Sequence, residues 1–249
     1  VSLLHLSQDY PTSYTDAMTV QSTGRRTFFH CRGANAYFDV KHCSFSKTNA
    51  RILHLGYLML LDRLDSFEGG QTVAAKLLFN ARSAGLETSV DMCSAMHPEF
   101  REIALSALPM IDHLTINEIE AGLTVGEVID PKNSGWLLRT AEQLLSLGVK
   151  QTVTIHTEHG AVCATADGLR LKQPSLKLPV GYSKGATGAG DAFAAGMLYG
   201  LHERFEIQER LRLAVCCAAA CLQDPTPSKG LRPVKDCLAL ADQFGFGEF

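Results

Sequence analysis

The sequence lacks a basic stripe, a long apolar run and any C-x-x-C pair, and each gap removes a class of function. Net charge is −3 over 249 residues, with 23 Lys+Arg against 26 Asp+Glu, so nucleic acid is excluded as a main partner. No stretch approaches the roughly 20 apolar residues that span a bilayer, so no membrane partner is expected. Val1-Ser2-Leu3-Leu4-His5-Leu6 has no basic residue before its apolar run and is too short for a signal peptide. Eight cysteines without C-x-x-C spacing do not make a disulfide framework in a chain this long. A reduced, cytoplasmic setting is expected. His156 and His159 form H-x-x-H, which is not the zinc-hydrolase H-E-x-x-H. No G-x-x-x-x-G-K-[ST] occurs, so a P-loop is excluded. There is also no internal repeat, low-complexity tract or Pro-rich linker.

What is present reads as α/β. Ser13–Val20 and Arg26–Cys31 are strand-like and flank a turn at Ser22-Thr23-Gly24. Beyond them, strands are predicted at Arg51–Tyr57, Glu87–Asp91, Asp112–Ile116 and Gln151–His156. A helix is predicted over Phe67–Ala84, capped by Ser66 and ended by Gly85. Further helices are predicted at Glu99–Leu108, Ser134–Leu147, Ala189–Leu201 and Ile207–Leu222. Strand–helix alternation argues for a doubly wound, mostly parallel sheet with helices on both faces. The early hairpin stands outside that rhythm. Residues 1–35 are expected to form a small β lid and residues 36–249 the α/β domain. A lone ribbon is marginally stable, so it is expected to pack on the main domain, on a ligand or on a second copy.

The chemistry concentrates in Gly185-Ala186-Thr187-Gly188-Ala189-Gly190-Asp191. A glycine-rich turn opening a helix aims backbone N–H groups outward, where the dipole adds partial positive charge. Asp191 beside it can accept a proton from an attacking hydroxyl. A dinucleotide fold does not fit: Leu178–Lys184 is not a hydrophobic strand, and the required acid would fall near Glu209 inside a helix. The second patch is Asn117-Glu118-Ile119-Glu120, at a predicted strand end. Asn117 and Glu120 share a helix side and can hold water-coordinated Mg²⁺ with the phosphates it bridges. The same spacing is also that of a capping box.

Asn117-Glu118-Ile119-Glu120 and Gly188-Ala189-Gly190-Asp191 resemble the N-E-x-E and G-A-G-D motifs of the ribokinase/PfkB-type carbohydrate kinases. Gly33-Ala34-Asn35-Ala36 resembles the exit of that family's lid, and Asp91 sits where members often carry a strand-end Asp. The resemblance runs from about Pro11 to about Gly230. It implies an ATP-dependent kinase acting on a hydroxyl of a sugar or sugar acid, with Mg²⁺. Asp191 would be the base, and the N–H groups of Gly188, Ala189 and Gly190 would stabilise the migrating phosphoryl. Asn117 and Glu120 would organise Mg²⁺, through water, and the nucleotide phosphates. Thr157, Gly160 and Thr187 would complete the nucleotide site, with adenosine near Thr157–Gly160 and Ala218–Gly230. Gly33, Asn35, Asp91 and Asp191 would face the acceptor. The lid would close over the sugar, and a homodimer through the lid is a further expectation.

Three departures accompany the resemblance. Gly185-Ala186 replaces the usual Asp-Thr of a monovalent-cation site, so potassium activation is not expected. Thr157 stands where glycine is common. The family's opening strand, with a sugar-binding Asp and a Gly-Gly motif, is expected to be missing ahead of the lid. Two alternatives stay open: a non-catalytic sugar- or nucleotide-binding regulator or scaffold, and a nucleoside kinase.

Overall fold

The computed structural model describes residues 4–20 and 26–249. The ribbon is formed by β1 (Tyr14–Thr19) and β2 (Arg26–Cys31), antiparallel from Tyr14↔Cys31 to Thr19↔Arg26. The turn expected at Ser22–Gly24 lies outside the described residues. Short 3₁₀ turns follow between Gly33 and Lys47. Then come β3 (Ile52–Leu58), α1 (Asp62–Asp65), β4 (Phe67–Glu68), β5 (Gln71–Thr72), α2 (Val73–Ser83), β6 (Glu87–Met92) and α3 (Phe100–Ala107). The rest is β7 (His113–Asn117), α4 (Glu118–Val125), α5 (Ser134–Ser146), β8 (Thr152–His156), β9 (Gly160–Thr165), β10 (Arg170–Pro174), α6 (Ala189–His202), α7 (Ile207–Cys221) and α8 (Val234–Phe244).

The main sheet has six strands in the order β10-β9-β8-β7-β6-β3. It is mixed and mostly parallel. β3 pairs parallel with β6, while β9 is antiparallel to both β8 and β10. The expected fold class is the one observed. Among the described residues no helix is long and apolar enough to cross a membrane.

Residue contacts group the chain into two compact units, Val1–His113 with Leu147–Lys150, and Leu114–Ser146 with Gln151–Phe249. In the first, Leu58, Leu64, Leu77, Leu78, Ile103 and Leu108 are fully buried. Buried Asp65 clamps one of its turns, its carboxylate accepting from the Met59 and Leu61 N–H groups at 3.1 Å each. That clamp holds Met59 at φ +77°, a left-handed backbone that methionine rarely adopts. The helix expected over Phe67–Ala84 starts later. Gly69 and Gly70 take φ +61° and +86° and turn the small β4–β5 hairpin, and Thr72, not Ser66, caps α2 by accepting from Ala75 N–H at 3.2 Å.

In the second unit, α6 and α7 pack backbone to backbone. A Cβ on Gly196 would lie 2.7 Å from Ala214 Cα, and one on Gly200 2.7 Å from Arg210 Cγ. Small residues at the crossing let the helices approach this closely. Phe193, Met197, Leu211, Leu213 and Leu240 fill the core beside them. All eight cysteines are free thiols, five of them buried. Burial pushes Cys163 and Cys216 up to about 11, the behaviour of apolar fillers.

Candidate active site

Gly188 caps the start of α6 at φ +83°, the left-handed region that glycine occupies without strain. A Cβ there would lie 2.3 Å from Pro227 O, and one on Gly185 2.9 Å from Pro225 Cα. The glycine-rich turn is therefore seated on the Pro225–Pro227 segment with no room for a side chain at Gly185 or Gly188. Buried Cys221 ties the two together, its thiol reaching Pro227 O at 3.2 Å and Thr187 O at 3.7 Å. Ala189 N–H donates to Ala186 O at 3.3 Å and Ala192 N–H to Gly188 O at 2.8 Å, closing the first turn. Asp191 lies in that turn with an exposed side chain.

Beside this helix start is a cavity of about 280 Å³. Its walls include Ala186, Ala189 and Gly190 from the turn, with Leu176, Phe193 and Leu222. The mix of apolar wall and backbone donors suits a ligand with a flat apolar part and an anionic part. His156, at the end of β8, lies under Gly190, whose Cβ would meet the imidazole Cε1 at 3.5 Å. The ring also packs on Phe193, with centroids 4.8 Å apart. Burial pushes this imidazole down to about 4 from 6.5, so it is neutral at physiological pH.

Thr157 lines the cavity. It shapes the β8–β9 turn: its N–H donates to Gly160 O at 2.8 Å, and its hydroxyl accepts from His159 N–H at 3.0 Å. Gly160 does not line the cavity; it is pressed against Gln173 O and the Phe249 ring, at 2.6 and 2.7 Å from a notional Cβ. Thr187 contributes its carbonyl to the Cys221 contact.

Asn117 and Glu120 form a reciprocal capping box at the start of α4. Glu120 N–H donates to Asn117 Oδ1 at 2.9 Å. Glu120 Oε2 accepts from Asn117 N–H at 2.9 Å and Oε1 from Asn117 Nδ2 at 2.8 Å. Glu120 is 3% exposed. The motif is thus locked in one rotameric arrangement, and neither residue is a wall of the 280 Å³ cavity. Glu118, between them in sequence, was not singled out by the motif reading. Burial raises its carboxyl, and Glu158, a cavity wall, adds like-charge repulsion.

The remaining expected residues belong to the first unit. Gly33 takes φ +50° and would clash with Pro11 O at 2.4 Å if it carried a Cβ. Asn35 donates from Nδ2 to the Ser13 hydroxyl at 2.8 Å. Both therefore tie the segment before β1. Asp91, at the end of β6, is 6% exposed and accepts from its neighbour Met92 N–H at 2.7 Å.

A sequence model described as pfkB family carbohydrate kinase matches residues 1–232. The chain belongs to that family. Among solved structures it is similar to Arabidopsis thaliana ribokinase complexed with ribose and ATP, at 20% identity and TM-score 0.69, covering 93% of this chain and 70% of that one. It is similar to a Burkholderia thailandensis nucleoside kinase in complex with inosine, at 16% identity and TM-score 0.69, covering 96% and 72%. A putative ribokinase II from E. coli in complex with ATP and Mg²⁺ matches at 20% identity and TM-score 0.70, covering 92% and 71%. At these identities the likeness is one of fold. No curated protein matches. The family is one of kinases, which are transferases, and the similar structures are kinases as well.

Proposed function

We propose that this pfkB-family chain transfers the γ-phosphoryl of ATP to a hydroxyl of a sugar or sugar acid. The observation that carries the reading is the glycine-rich turn at Gly188, fixed against Pro227 and opening onto a cavity with an apolar wall. The adenosine occupies that cavity against Leu176, Phe193 and Leu222. The N–H groups of Gly188, Ala189 and Gly190 receive the migrating phosphoryl, Ala189 exchanging its long 3.3 Å bond to Ala186 O for it, and fixed dipoles there stabilise charge that develops in transfer. Asp191 takes the proton of the acceptor hydroxyl as its oxygen attacks phosphorus and the bond to ADP breaks. Thr157 shapes the turn over the nucleotide, Thr187 and Gly160 support it from behind, and neutral His156 floors the turn without competing for the phosphate charge. The family resemblance is what assigns Gly33, Asn35 and Asp91 to the acceptor.

The donor set at Asn117 and Glu120 fits Mg²⁺ held through water. Mg²⁺ ordinarily keeps several waters and takes only one or two carboxylates from the protein. Bound there, the ion would neutralise phosphate charge. Glu120 and Asn117 orient each other for that task through their capping box.

Substituting Asp191→Asn is expected to lower turnover by ~10²–10⁴ with the fold intact. ADP release measured with a panel of sugars and sugar acids tests this, and unchanged turnover would remove Asp191 as the base. Nucleosides belong in the same panel, because one similar structure is a nucleoside kinase with inosine.

The ribbon supports a lid that also joins two copies. Every residue of β1 is exposed, and Tyr14, Met18, Phe28 and Phe29 are large apolar side chains left uncovered. Sedimentation of the full chain should show a dimer that Phe29→Glu dissociates. A monomer at high concentration would exclude this arrangement.

A further inference from the structure

A second pocket of about 500 Å³ lies between the Gly181–Lys184 loop and the chain running from Gln223 to Arg232. It shares no wall residue with the cavity at Gly190. Lys184, Lys229 and Arg232 all line it, and none makes an ion pair among the described residues. Arg232 donates to Gln223 Oε1, which presets its guanidinium on the pocket wall. Asp224 is the acid of the group. Its Oδ1 accepts from the Thr226 N–H at 2.8 Å and hydroxyl at 2.6 Å. These bonds, helped by Lys229 and Lys184, hold its carboxyl below the usual range, so it stays ionised. Three cations face a single acid, so positive charge is left in excess, and the like charges repel one another unless a further anion joins them.

We propose that this pocket is a binding site for a phosphate-class dianion, distinct from the nucleotide site. Two lysine point charges beside an arginine fork suit a tetrahedral oxyanion, and the volume falls within the range of small-ligand pockets. Lys184 N–H donates to Leu222 O at 2.8 Å, so the two walls are stitched together. The 222–232 wall also carries Pro225 and Pro227, on which Gly185 and Gly188 rest. A bound anion therefore steadies the seat of the glycine-rich turn. That regulatory consequence rests on the kinase reading; the binding itself does not.

The test is calorimetric titration of the full chain with inorganic phosphate, against chloride at matched ionic strength. Saturable phosphate binding is expected, weakened at least tenfold in Lys184→Ala/Arg232→Ala. Binding of a non-hydrolysable ATP analogue should be the same in both proteins, and phosphate should still bind when the analogue is present. Glycerol phosphate serves as a second probe: tighter binding than free phosphate assigns the site to a phosphorylated metabolite, weaker binding to the free ion. Equal phosphate affinity in the double variant, displacement by the ATP analogue, or heats no larger than with chloride each overturn the proposal. If the chain turns over no ATP, the double-variant comparison still decides the binding.

Discussion

The two motifs of the second unit are built in opposite ways. Asn117 and Glu120 satisfy each other three residues apart, so their geometry is local and survives changes elsewhere. The turn at Gly188 has no such self-sufficiency. Its shape is imposed by Pro225 and Pro227, far downstream, and by the crossing of α6 on α7. The glycine-rich turn thus depends on tertiary packing, whereas the carboxylate–amide pair depends on helix capping. The contrast makes different demands on mutation.

The largest effect is expected at Gly188→Ala. The left-handed φ and the 2.3 Å approach to Pro227 O together should cost about 2–5 kcal/mol and abolish turnover. Denaturant unfolding alongside an ADP-release assay checks this; a stable, active variant would break the claim that the seat needs glycine. An intermediate effect is expected at the local motif. Asn117→Ala should cost about 0.5–2 kcal/mol as a lost cap and reduce the rate at low Mg²⁺ more than at high Mg²⁺. Equal losses at both concentrations would reduce the pair to a structural cap.

The third effect is confined to acid pH and is absent near neutrality. The His156 imidazole is held neutral by burial, its folded value near 4 lying below the 6.5 of the free group. Its contribution to stability is complete above pH 6.5 and is lost as the pH falls toward 4, because the unfolded chain takes up the proton first. His156→Gln should flatten this acid limb in thermal melts followed from pH 7 to pH 4. An unchanged slope would place the acid sensitivity elsewhere.

These differences also explain what could be read from the chain. The strands β3, β6, β7 and β8 were legible as short β-like runs alternating with segments of helical spacing. The helices α5, α6 and α7 were legible from apolar spacing. β9 went unpredicted: Gly160–Thr165 is buried throughout yet made of small residues, which carry little strand signal. β10 is an edge strand with Arg170, Lys172 and Gln173, and α8 follows a proline that reads as loop. The false start of α2 came from Phe67, whose apolar character hid a hairpin turned by Gly69–Gly70. At the candidate site the two motifs were visible as patterns. Their supports were not: Pro227, Cys221 and His156 act through contacts between residues far apart in sequence, and no local spacing reveals such contacts.

The close crossing at Gly196 has a consequence for inheritance of activity. That residue sits two turns along α6 from the turn at Gly188, touching no ligand, with Ala214 directly opposite. Any side chain larger than hydrogen there levers the whole rod outward and carries its leading end with it. Displacements of about 1 Å at reacting groups cost on the order of 10²-fold in rate. Drift at a buried, chemically silent position would therefore extinguish the proposed activity while every reactive residue is retained in the sequence.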